Sequence, residues 1–142
     1  MSEQLSGRAL DRAIAEKLGY TVSKVTWTAA SDADPGWMYA LHAPNGQQAT
    51  FGSRNYDEAW DMPSNRAVAV AEFHADANQQ LKLCAERGWY ISYTGNTALV
   101  ARDIGGGYNH THRGDGATPQ EAGARAIFDA LEFLARMKAR AE

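Results

Sequence analysis

The tetrapeptide Thr118-Pro119-Gln120-Glu121 restricts the fold of this chain more than any other stretch, because it fixes where a helix must start. Threonine supplies an N-cap oxygen and proline suits the first helical position. Glutamate, three residues past the cap, completes a capping box that satisfies orphan N–H groups. The helix that follows carries Ala122, Ala126, Ala130 and Leu134 on one line, with Ile127, Leu131 and Leu134 on its neighbour. Small residues on that face let it pack closely onto a sheet or a second helix.

Upstream, Leu10, Ile14 and Leu18 recur at a spacing of four, with Ala13 beside them, and predict a short helix over Arg8 to Leu18. Ser6 can cap its start and Gly19 its end. Lys24 to Thr28 reads as a strand. Ser31 to Gly36 reads as a loop, and Trp37–Ala43 and Gln47–Phe51 as the arms of a hairpin around Pro44-Asn45-Gly46. Arg54 to Pro63 suits a turn of helix or an ordered connection. A second long helix is expected from Ser64 or Asn65 to about Arg87, with Val70, Phe73, Ala77, Leu81 and Cys84 as its apolar stripe and Gly88 as its stop. Trp89–Tyr93 and Thr97–Ala101 then form strands about the tight turn Thr94-Gly95-Asn96. The order α-β-β-β-α-β-β-α predicts one α+β domain over residues 1–142, an antiparallel sheet covered by helices in an αβα sandwich-like arrangement.

Composition narrows the class of function. Of 142 residues, 44% are hydrophobic and 22% charged, as in ordinary globular domains. No apolar run reaches the ~18 residues of a membrane span, and the start MSEQLSGRAL lacks a signal peptide's apolar core. Fourteen Lys+Arg against seventeen Asp+Glu give a net charge of −3, which disfavours broad binding to nucleic acid or acidic membranes. One cysteine, Cys84, permits no internal disulfide and fits a reducing cytoplasm.

The most unusual stretch runs from Arg102 to Gly116, with five glycines, two histidines, two arginines and a tyrosine. Read as a loop over Gly105–Gly116 feeding the helix N-terminus, it offers backbone N–H groups, cationic donors and a stacking face, the parts of an anion or phosphate site. It matches neither a P-loop nor a dinucleotide fingerprint. Arginines near aromatics, Arg54 beside Tyr56 and Arg102 with Arg113 around Tyr108, suit a nucleobase joined to phosphate. The candidate ligand contacts are therefore Arg54, Tyr56, Arg102, Gly105, Gly106, Gly107, Tyr108, Asn109, His110, His112, Arg113 and Thr118.

Other chemistries are less well served. His110 and His112 with Asp115 make a thin metal pattern, and no metal or cofactor is expected. Cys84 lies in an apolar stripe, where a thiol is inert packing. Asp57, Glu58 and Asp61 read as a solvated acidic face. No serine elbow or zincin motif is present, so no residue is assigned a catalytic role. Most aromatics, from Trp27 through Tyr93, belong to the core; alternation along Trp37–Tyr39 and Trp89–Tyr90 leaves at least one per strand for a surface or subunit interface.

Three segments also carry a family likeness: Leu10-Asp11-Arg12-Ala13-Ile14-Ala15-Glu16-Lys17-Leu18-Gly19-Tyr20, then Glu86-Arg87-Gly88-Trp89, then Ala117-Thr118-Pro119-Gln120-Glu121-Ala122. In this order they resemble the phage ABA sandwich domain, a family of small bacteriophage and prophage proteins. The longer middle helix and the glycine- and histidine-rich Gly105–Gly116 depart from that pattern. The resemblance implies the fold and a phage origin, and brings no catalytic residues.

Together these features lead to the expectation of a non-catalytic phage protein, a homo-oligomer in the cytoplasm of an infected bacterial host. It would sequester a small anionic host defence signal, a cyclic or ADP-ribose-type nucleotide, with no membrane or nucleic-acid polymer as partner. The alternative is a protein–protein inhibitor or structural accessory of a phage without a small ligand. A hydrolase built on His110, His112 and Asp115 ranks third.

Overall fold

The computed structural model describes residues 5–49, 52–61 and 68–141. It has an α+β fold with two antiparallel sheets, one of two strands and one of three, packed against helices. The chain divides into two compact units, Leu18–Val70 and a discontinuous one made of Met1–Lys17 with Ala71–Glu142.

In the Leu18–Val70 unit, β1 (Thr21–Thr26) pairs along its whole length with β2 (Trp37–His42). β1 stops at Thr26, short of the expected Thr28, because Asp34 organises the connection. Its carboxylate accepts from the Trp27 indole at 2.9 Å, the Gly36 amide at 2.8 Å and the Ala30 amide at 3.1 Å. Three donors hold the Asp34 carboxyl below its ordinary value, the indole bond contributing most. The Pro44–Gly46 turn forms as expected, closed by Gly46 N–H to the Ala43 carbonyl at 2.9 Å. Its return leg is not a strand: it touches β2 at the isolated bridges His42↔Gln48 and Tyr39↔Ser53, and residues 50–51 lie outside the described residues. The acidic stretch is one helical turn: Asn55 caps it by accepting from the Asp57 and Glu58 amides. This turn (Tyr56–Ala59) is α2 in chain order, α1 being Gly7–Leu18.

Leu10 and Ile14 are buried on α1, as the four-residue spacing requires. Between them in sequence sits Asp11, also fully buried, whose carboxylate accepts from the His74 backbone N–H at 2.8 Å, from His74 Nδ1 at 2.7 Å and from Arg8 Nη1 at 3.0 Å. That contact accounts for the main departure from the expected helix pattern. In a helix begun at Ser64, the His74 N–H would bond the carbonyl four residues back; here Asp11 takes it, and residues 68–76 are not helical. Residues 62–67, including the expected start, lie outside the described residues. α3 (Ala77–Arg87) begins instead at Asp76, whose side chain caps the Asn78 and Gln79 amides, and ends at Gly88 with φ 72°. Its buried face is Gln80, Leu83 and Cys84, while Leu81 is exposed, so the expected stripe is rotated.

β3 (Tyr90–Thr94), β4 (Thr97–Gly105) and β5 (Tyr108–Asp115) follow as an antiparallel meander in the order β3-β4-β5. The expected Gly105–Gly116 loop is therefore corrected: Gly105, Gly106 and Gly107 take the chain through the hairpin tip at φ 95°, 64° and 80°, and Tyr108–Asp115 is strand. α4 (Pro119–Ala141) starts where the capping box placed it, Thr118 Oγ1 accepting from the Glu121 amide at 3.1 Å. Ala122, Ala126, Ala130 and Ile127 are buried. The approach is so close that a Cβ on Gly114 of β5 would collide with the Ala122 carbonyl and the Ala126 nitrogen. No described helix is long and apolar enough to cross a membrane.

Candidate functional site

Alternation along the β4–β5 hairpin decides which of the expected residues meet. Val100 pairs with His112 and Arg102 with His110, and these four side chains share the face under α4. Arg113 pairs with Leu99 on the other face, where it is exposed and bonds Asp115 at 3.2 Å. Arg102 and Arg113 therefore face apart and cannot form one donor set, which corrects the expected arrangement around Tyr108.

Under α4 the polar groups form a chain. Arg102, 8% exposed, donates from Nε to His112 Nε2 at 2.9 Å. His112, 2% exposed, meets Asp129 Oδ2 through Nδ1 at 2.9 Å. Because an arginine N–H can only donate, Nε2 must be the acceptor and Nδ1 carries the proton given to the carboxylate. His112 is thus held neutral as a single tautomer. Its pKa lies below the ordinary histidine value, chiefly through burial, with Asp129 opposing and the Arg102 and His110 charges adding to the fall. The His110 ring stacks on His112 with centroids 4.8 Å apart and planes 7° off parallel. Phe133 of α4 closes the cluster, 4.5 Å from His110 and 5.3 Å from the Arg102 guanidinium carbon.

With both ring nitrogens engaged, His112 can neither abstract nor donate a proton without breaking this chain. Arg102 retains its two terminal nitrogens, and no described carboxylate lies within ion-pair distance of them. Asp129 and Phe133 were not anticipated. The signal was present: on α4 they follow Ala122 and Ala126 at helical spacing, so a charge and an aromatic fall beside the small-residue face.

The remaining expected contacts disperse. Gly105, Gly106, Gly107 and Tyr108 form the exposed hairpin tip, where the Gly105 amide already donates to Asp103 Oδ1 at 2.8 Å; Asn109 is exposed beside them. Thr118 spends its hydroxyl oxygen on the helix cap. Arg54 and Tyr56 belong to the Leu18–Val70 unit, with the Tyr56 ring edge-on to Tyr39 at 5.5 Å. Asp115 turns to the open face, accepting from Thr97 Oγ1 at 2.7 Å, and does not converge with His110 and His112. Among the described residues no three His, Cys, Asp or Glu side chains are grouped to hold a metal ion. Burial pushes the Cys84 thiol up to about 11, so it is not a thiolate nucleophile at neutral pH.

Comparison of the chain with protein-family models, with curated proteins and with solved structures gave no match.

Proposed function

We propose that this protein is a non-catalytic binding protein for a small anionic ligand of nucleotide type, and that Arg102 is the anion contact. The observation that carries this reading is a cation kept nine-tenths buried with its two terminal nitrogens unpaired by any described carboxylate. Its terminal nitrogens keep contact with solvent and so stay reachable, and an arginine cannot discharge itself by losing its proton, so a fixed cationic fork remains open to an anion. His112 and Asp129 fix the guanidinium plane from one side; a phosphate would take the planar fork from the other. Phe133 and His110 give aromatic surface beside it, which suits a ligand carrying a base. The family resemblance suggests a phage origin alone; sequestration of a host defence signal in the cytoplasm of an infected cell is the setting we infer from that origin, from the lack of an assigned catalytic group and from the glycine-, histidine- and arginine-rich segment.

The test is to incubate the protein with a panel of cyclic and ADP-ribose-type nucleotides, re-isolate it, denature it and identify what is released. Wild type and Arg113→Gln should retain the same nucleotide chemically unchanged, and Arg102→Gln should lose it while keeping its circular dichroism spectrum. Retention of nothing, altered products, or equal retention by Arg102→Gln would each overturn the reading.

A second reading, a protein–protein inhibitor or structural accessory, is favoured by the hairpin tip, where Ile104 and Tyr108 are 58% and 71% exposed. A single stoichiometric protein recovered from host lysate, with no small molecule bound, supports it instead.

A further inference from the structure

The three-stranded sheet has two edges of very different character. β5 carries Arg113 and Asp115, charges of the kind that discourage edge pairing. β3 reads Tyr-Ile-Ser-Tyr-Thr, with no charge, no proline and no bulge. The two-residue turn Gly95-Asn96 makes Thr94↔Thr97 a hydrogen-bonded pair; by alternation Ser92↔Leu99 and Tyr90↔Ala101 are also bonded. The N–H and C=O groups of Ile91 and Tyr93 therefore point away from β4, and no backbone group among the described residues bonds them.

Apolar surface flanks this edge on both faces. On the helix side Leu81, Cys84 and Gly88 together with Trp89, Tyr90 and Ile91 line a concavity of ≈ 400 Å³, and Leu81 at its rim is 48% exposed. On the open side Tyr90 is 73% exposed.

We propose that β3 is a dimerisation edge, on which β3 of a second copy of this chain pairs antiparallel about a two-fold axis through Ser92. In that register Ile91 faces the partner subunit's Tyr93 and Tyr93 faces the partner subunit's Ile91, which satisfies every outward backbone group of both residues with four hydrogen bonds. The axis stands perpendicular to the sheet, so each side chain keeps its face: Ile91 and Tyr93 stay on the helix side, Tyr90, Ser92 and Thr94 on the open side. Two three-stranded sheets become one of six. A second copy fits better than a charged peptide because the strand is self-complementary, apolar against aromatic and serine against serine. Two molecules each carrying −3 meet along their neutral edge and bring no like charges together. A five-residue strand with these flanks makes a small interface, so exchange between monomer and dimer in the micromolar range is expected.

Sedimentation equilibrium of the full chain tests this. Wild type should associate to a dimer and no further. Ser92 is exposed on the open face of the sheet, so Ser92→Lys and Ser92→Glu should fold. Each alone should self-associate at least about fivefold more weakly, because like charges then face each other at the axis. Mixing the two should restore a dimer containing one of each. Independently of any variant, the amides of Ile91 and Tyr93 in wild type should exchange with deuterium more slowly as protein concentration rises. A monomer at every concentration, a dimer indifferent to both substitutions, or exchange at Ile91 and Tyr93 independent of concentration would overturn the proposal. Slowing of those amides only on addition of another protein would assign the edge to that protein and overturn it equally.

Discussion

Gly114 and Gly123 show how single residues set the spacing of this fold. A Cβ on Gly114 would strike the α4 backbone, and one on Gly123 would strike the Gln80 amide oxygen. That amide is already fully committed: Gln80 donates to the Phe73 and Gln120 carbonyls, both at 2.6 Å, and accepts from the Tyr93 hydroxyl at 2.6 Å. The clash at Gly114 is with backbone, which cannot rotate aside, so Gly114→Ala must lift the helix off the strand. It should destabilise the protein by about 3 kcal/mol in a denaturant titration, at the upper end of overpacking costs. Unchanged stability would mean that α4 sits farther from β5 than described.

At the scale of elements, locally encoded structure was legible and tertiary structure was not. The α4 start is written in Thr118 to Glu121 and needs no distant partner. Thr118→Ala should therefore cost about 1 kcal/mol, measurable as a lower urea midpoint with an unchanged slope. The Gly95-Asn96 turn is equally local. The α3 start was not legible because the residue that takes up the His74 amide, Asp11, lies 63 positions away. β5 escaped detection for a different reason. The residues it places under α4 are His110, His112 and Gly114, none of them aliphatic; at Gly114 the α4 backbone leaves no room for a Cβ, and the two histidines join the polar chain. The apolar alternation that normally announces a strand is absent from it.

For the whole molecule, the hydrogen-bonded chain under α4 predicts acid sensitivity. His112 has a folded pKa below the ordinary 6.5. The unfolded chain binds its proton first, so stability is full above about 6.5 and is lost as pH falls towards the folded value. Asp34 and Asp115, both held below 3.8, add losses of the same sign only at lower pH. The melting temperature should thus decline in two stages on acidification, and His112→Gln should remove the first; an unaltered first stage would place its origin elsewhere. Of the site itself, the sequence marked Arg102, His110 and His112 as unusual but grouped them with Arg113. Only strand pairing separates odd from even positions, and that pairing is invisible when the segment reads as loop.

The Asp11 clasp also has a temporal meaning. α1 is synthesised well before His74, and a 12-residue helix is barely stable alone in water. At about 5–20 residues per second, its carboxylate waits roughly 3–13 s on the ribosome for the amide that holds it. The stretch made first in its unit therefore stays without this clasp until the whole intervening Leu18–Val70 unit has been synthesised.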